Sequence, residues 1–132
     1  MRALDTNVIV RYFVADDESQ FAASERVIEE CRKNRESVFL SVIVLCELMW
    51  VLASTYRQPK PVLISVLEEI LALDQFQIEY EELVRRCVAL YRLGAGNFPD
   101  YLIGEISKHY GCRDVVTFDR ALKKSSGFTV LV

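Results

Sequence analysis

The sequence predicts an α/β protein, a three-layer α/β/α sandwich around a central parallel sheet of about five strands. Three observations lead there. Short apolar runs recur at Ala3–Leu4, Val38–Leu40, Phe76–Ile78, Asp114–Phe118 and Phe128–Val132, too brief for helices and bounded by turn residues. Between them lie longer stretches with apolar residues three or four positions apart, the helical period. Strands alternating with helices build a parallel sheet covered on both faces. With 132 residues and no linker, repeat or low-complexity segment, residues 1–132 read as a single domain.

The first strand runs through Leu4 and turns at Asp5-Thr6-Asn7 into a short helix, Val8 to Val14. Asp16-Asp17-Glu18-Ser19 breaks that helix and offers N-caps for the next. Ala23, Val27, Ile28 and Cys31 form its inner face, and Glu25, Arg26, Glu29, Glu30, Arg32 and Lys33 its solvated one. After Val38–Leu40, Ser41 can cap a helix from Val42 to about Tyr56. That helix is apolar nearly all round, which predicts burial. Gln58-Pro59-Lys60-Pro61 ends it, and Leu63, Leu67, Ile70 and Leu71 mark the next. Leu83, Cys87, Leu90 and Tyr91 mark a further helix, closed by Gly94-Ala95-Gly96. Asn97-Phe98-Pro99 opens a helix from about Asp100 to Tyr110, stopped by Gly111. Asp119 and a short helix follow the fourth strand. In a 3-2-1-4-5 strand order, strands one and four are neighbours at the topological switch point, where open α/β sheets bind ligands. In the alternative 2-1-3-4-5 order they lie further apart.

The net charge of −3 is not that of a general nucleic-acid binder. Setting four of the 19 acids aside for one site leaves 15 against 16 bases, so an RNA substrate is not excluded. Cys31, Cys46, Cys87 and Cys112 contain no C-x-x-C pair and read as free thiols in a reducing cytosol. The single His109 has no metal-spaced neighbour, which argues against zinc. No signal peptide is expected. The longest uncharged run near the centre, Ser37 to Cys46, falls short of the ~20 residues of a membrane helix. The expectation is a cytoplasmic protein with no membrane association.

Four acids stand out. Asp5 closes the first strand. Glu47 is the only charged residue between Glu36 and Arg57, in a helix expected to be buried, where an unpaired carboxylate is costly. Asp100 lies near a helix start and Asp119 at a strand end. Each of these aspartates also suits simple capping. Taken together, they are expected at one end of the sheet. Two like charges about 4 Å apart repel by roughly 4 kcal/mol at an effective dielectric of about 20, so four ionised acids need a counter-charge. Hard oxygen ligands select Mg²⁺ or Mn²⁺ over zinc.

Leu4-Asp5-Thr6-Asn7, Glu47 within an apolar helix, Phe98-Pro99-Asp100 and Thr117-Phe118-Asp119 resemble, in order and spacing, the four acidic motifs of the PIN domain. The resemblance covers essentially the whole chain. The length is similar to that of the VapC-type toxins of toxin–antitoxin pairs. The resemblance implies a metal-dependent endoribonuclease that cuts single-stranded or looped RNA and leaves a 5′-phosphate and a 3′-hydroxyl. It implies that Asp5, Asp100 and Asp119 hold Mg²⁺ or Mn²⁺ and that Glu47 completes the ring or orients the attacking water. Asn7 and Thr117 match the polar support positions. It further implies a cognate antitoxin as partner, and a homodimer. PIN nucleases of RNA processing share the pattern.

Arg11, Arg113 and Arg120 are close in sequence to the expected site and are candidate contacts to the RNA backbone. Tyr12, Phe13 and Tyr101 could stack on bases, although core packing is the better reading for most of them. Met49 and Trp50 are expected in the core, and His109 at the surface near a helix end. A phosphotransferase with an aspartyl nucleophile (HAD-like) wants an acid two residues after its first, where this chain has Asn7. A receiver-like switch wants adjacent acids after strand one, and these are missing. A binding module that keeps the fold without cutting is the third alternative.

Overall fold

The computed structural model describes residues 1–132. Its elements follow the expected alternation: β1 (Arg2–Ala3), α1 (Thr6–Phe13), α2 (Glu18–Lys33), β2 (Val38–Leu40), α3 (Val42–Ser54), α4 (Lys60–Ala72), β3 (Phe76–Ile78), α5 (Glu81–Leu93), α6 (Phe98–His109), β4 (Val115–Thr117), a 3-10 turn (Arg120–Leu122) and β5 (Phe128–Val130). The chain forms two units, Met1–Glu81 and Glu82–Val132, and each is described by itself.

In the first unit β1, β2 and β3 make a parallel sheet in that order. This order matches the 3-2-1 half of the expected topology and excludes 2-1-3. β1 is shorter and more exposed than its sequence suggests. Arg2 and Leu4 both donate their N–H groups to the β2 side, at Ser37 O (3.1 Å) and Phe39 O (3.2 Å). Helix α1 begins two residues earlier than expected, because Asp5 caps it and accepts from Thr6 N at 2.9 Å. Ser41 caps α3 as expected, and Glu79 adds a second cap, accepting from Val42 N at 3.0 Å. The core is built from Ile9, Val38, Leu40, Leu45, Leu48, Leu52, Leu67 and Ile70, all essentially inaccessible.

Helix α3 departs from the expectation of burial on every side. Val44, Leu45, Leu48, Met49 and Leu52 face inward. Ile43, Glu47 and Trp50 occupy one outward stripe, and Ile43 and Trp50 are each 68% exposed. Trp50 is therefore not a core residue, whereas Met49 is.

In the second unit β4 and β5 pair in parallel, with Val116 opposite Thr129. Both of these side chains are exposed, so this face of the two-stranded sheet is open rather than covered. All five strands pair in parallel as expected, but in two sheets; no ladder joins β1 to β4. Val84, Cys87, Phe98, Leu102 and Leu122 form the core of this unit. The ring of Phe98 lies 6.3 Å from that of Tyr91.

Candidate functional site

Two carboxylates of the first unit meet through a threonine. Asp5 ends β1, and its Oδ1 accepts the first helical N–H of α1. The next residue, Thr6, donates its hydroxyl to Glu47 Oε1 at 3.1 Å. Asp5 and Glu47 thus sit on either side of one turn of chain. Glu47 is exposed, not buried as expected. Its place in the i, i+4, i+7 stripe with Ile43 and Trp50 turns it to solvent, so no desolvation cost needs offsetting. The reason to single it out is instead its tie to Thr6. Thr6 is a participant that sequence reasoning missed; the one available signal was a hydroxyl beside the strand-end acid. Neighbouring Cys46 is held as a thiol above its ordinary range by burial, and then by the Glu47 charge.

The acids of the second unit are fixed in the same way. Asp100 is the third residue of α6, and its Oδ2 accepts from Asn97 N at 2.8 Å, one arm of a capping box. Asp119 caps the 3-10 turn, with Oδ1 accepting from Ala121 N at 2.9 Å. Thr117 Oγ1 accepts from Asp119 N at 3.0 Å, a bond to the backbone rather than to the carboxylate. Gly96 brings the two segments together. A Cβ there would lie 2.5 Å from Leu122 Cδ2 and 3.2 Å from Asp100 Oδ2, so the start of α6 and the turn after Asp119 both close on this glycine.

One oxygen of each of the four carboxylates is held by an N–H or O–H group of the protein. The other oxygen of each makes no hydrogen bond within the protein. Such half-held carboxylates suit a hard divalent ion, which takes oxygen ligands from oriented side chains. No cluster of three or more potential ligands is assembled in the structure. The acids stand as a pair in each unit.

Two candidate contacts change, those of Arg11 and Arg113, while Tyr101 packs in the core. Arg11 does not reach out to solvent as a free phosphate-binding group. Its Nη1 donates to Asp16 Oδ1 (2.5 Å) and Tyr56 Oη (3.0 Å), its Nε to Gln20 Oε1 (2.6 Å), and Tyr56 in turn donates to Asp16 (2.8 Å). Arg113 precedes β4 while Asp119 follows it, and a strand rises about 3.3 Å per residue. Arg113 therefore sits at the opposite end of β4, lining a separate cavity of about 730 Å³. Tyr101 is buried, and its hydroxyl accepts from Gly96 N at 3.0 Å, which removes it as a stacking platform. Arg120, beside Asp119, is exposed, as is Asn7 beside Asp5. Tyr12 packs edge-on against Phe13 and Phe76. His109 is exposed near the end of α6, against Tyr110.

The family model of the PIN domain matches residues 2–127. The chain belongs to the PIN domain family. The match spans all four acids, Asn7 and Thr117, and takes in both units. Over 130 residues this PIN chain is also 31% identical to a VapC ribonuclease of Aquifex aeolicus (strain VF5), covering 98% of the chain and 96% of the relative. No helix of this PIN protein is long and apolar enough to cross a membrane.

Proposed function

We propose that this protein is a VapC-type endoribonuclease, the toxin of a type II toxin–antitoxin pair, which hydrolyses phosphodiesters of single-stranded or looped RNA. The observation that carries this reading is the near-complete alignment with a VapC ribonuclease. In support, all four acids of the PIN pattern are present. Residues 1–132 act as one domain, with Asp5, Asp100 and Asp119 as ligands for Mg²⁺ or Mn²⁺ and Glu47 completing the set or orienting the attacking water. When bound, such an ion neutralises charge on the phosphate and makes a water more acidic.

The chain's own residues set up the rest. The capping N–H groups hold one oxygen of each aspartate and leave the other oriented toward a ligand. Thr6 does the same for Glu47, holding it close to the strand-end acid Asp5. Thr117 steadies the backbone at Asp119. Arg120 is the exposed cation best placed in sequence to meet an RNA phosphate, and Asn7 is a polar contact next to Asp5. The products carry a 5′-phosphate and a 3′-hydroxyl. A cognate antitoxin blocks the site, and the toxin works in the cytoplasm as a homodimer.

The test is RNA cleavage by the purified protein with Mg²⁺ or Mn²⁺, with EDTA, and by Asp5→Asn. The expected outcome is cleavage that both EDTA and the substitution abolish. Equal cleavage by Asp5→Asn would refute the assignment. Co-purification with the product of a neighbouring short reading frame tests the antitoxin.

A further inference from the structure

Helix α3 leaves one stripe uncovered, made by Ile43, Glu47, Trp50 and Ser54 at successive turns. Its two large apolar members, Ile43 and Trp50, are each 68% exposed and stand on either side of Glu47. Tryptophan is highly buried on average, so an indole this open beside a proposed reaction centre calls for a use. Thr6 ties Glu47 to the turn that carries Asp5, so the stripe runs directly into the acidic pair.

The helix aims the indole. Large side chains on an α-helix lean back over the preceding turn, and for Trp50 that turn carries Cys46 and Glu47. Residues three apart lie about 5–6 Å from each other on a helix surface, so one nucleotide can meet both Trp50 and Glu47. Beyond Trp50 the stripe stays low. Ala53 and Ser54 are small, and the Ser54 hydroxyl donates back to Trp50 O at 2.7 Å. Charge then decides between a nucleic acid and a protein as the occupant. No cation lies between Glu36 and Arg57. A protein face closed over the stripe would take the Glu47 carboxylate out of water with no cation of α3 to pair it, a costly burial. A base laid flat on the indole covers the ring and leaves the carboxylate open to water.

We propose that Trp50 is the stacking platform for one base of the RNA substrate, the base next to the scissile phosphate. Every base has a π-face, and stacking on an aromatic side chain needs no hydrogen-bond pattern. The platform therefore holds the strand in register against Glu47 without selecting its sequence, and supplies by stacking what α3 lacks in positive charge. The proposal deepens the ribonuclease reading and rests on it for the scissile phosphate, but its binding test does not.

Trp50 is the one tryptophan in the chain, so intrinsic tryptophan emission reports this position alone. The parent protein, in EDTA and in Mg²⁺, is titrated with a short oligoadenylate and with an abasic ribose-phosphate oligomer of equal length and charge. The oligoadenylate should quench the emission and the abasic oligomer leave it unchanged. By the anisotropy of labelled RNA, Trp50→Ala should bind about tenfold to a hundredfold more weakly. Trp50→Phe, which keeps a ring, and Ile43→Ala, which removes apolar area without one, should bind close to the parent. In cleavage assays Trp50→Ala should raise KM with kcat less affected. Emission that no RNA changes, or that the abasic oligomer changes equally, overturns the proposal even if RNA is cut. So does emission that shifts with protein concentration in the absence of RNA, which assigns the stripe to a second copy of the chain. Base-dependent quenching in a protein that cuts no RNA upholds the platform and refutes the ribonuclease reading instead.

Discussion

Single residues set the quality of this site more than their number does. Each carboxylate of the PIN quartet has one oxygen tied down by a neighbouring donor, so the capping reading of Asp5, Asp100 and Asp119 holds and is compatible with the proposed role as ligands. A cap fixes the carboxylate that a metal would need oriented. Thr117 shows how far this extends. Its hydroxyl accepts the Asp119 N–H, and removing such a support typically costs tenfold to a hundredfold in activity or metal affinity. Thr117→Val should therefore lower RNA cleavage by about that factor, while Thr117→Ser retains most of it. Equal rates for Val and Ser at this position would show that the hydroxyl does not matter. Glu47 gives the opposite lesson. Its isolation among apolar residues drew attention for the wrong reason, because the side chain is exposed and its significance comes from Thr6.

At the scale of elements, α1, the α1–α2 turn, α2 and the end of α3 are stapled by Arg11, Asp16, Gln20 and Tyr56. The Tyr56 hydrogen bond, against some burial, and then the Arg11 charge hold the Asp16 carboxyl below its ordinary value. A carboxyl depressed in the folded state stabilises fully above its unfolded pKa of about 3.9. That contribution is lost as pH falls through the lower native value. Urea unfolding of the parent and Asp16→Asn should accordingly differ at neutral pH and converge on acidification below about pH 4. A gap that persists into strong acid would mean the staple works through shape rather than charge. The start of α6 carries a second element-scale prediction. Gly96→Ala must push on Leu122 and Asp100 together, so it should destabilise by about 1–3 kcal/mol and reduce cleavage further than stability alone explains. A circular-dichroism melt and a rate measured well below the melting temperature separate the two effects.

For the whole molecule, the proposed four-acid set makes metal binding a stability matter. An ion that binds only the folded chain stabilises it by about 2.7 kcal/mol at a hundredfold excess over its Kd. Mn²⁺ should raise the melting temperature of the parent in a concentration-dependent way and leave that of Asp5→Asn nearly unmoved. An equal rise in both would place the ion elsewhere. The acids are contributed by segments spread from residue 5 to residue 119, so only a folded chain can supply all four. The PIN match over residues 2–127 agrees with treating them as one inherited pattern.

Local chemistry determined much of this protein directly. Val38–Leu40 and Phe76–Ile78 were readable as strands to the residue, because so short a run with apolar residues at its alternate positions has few other uses. Ser41 and Asp119 were readable as caps because a short oxygen-bearing side chain at a helix start finds free N–H groups. The four acids were readable because their order and spacing survive without any knowledge of packing. What tertiary structure alone decided were the questions of facing and partnership. Helix α3 is apolar on nearly every side, so its sequence carries no signal of which stripe is left uncovered, and only packing turned Glu47 and Trp50 outward. Arg11 looked like a free cation until a tyrosine 45 residues away claimed it. Periodicity reports a residue's own element, whereas exposure and long-range hydrogen bonds depend on what the rest of the chain brings alongside.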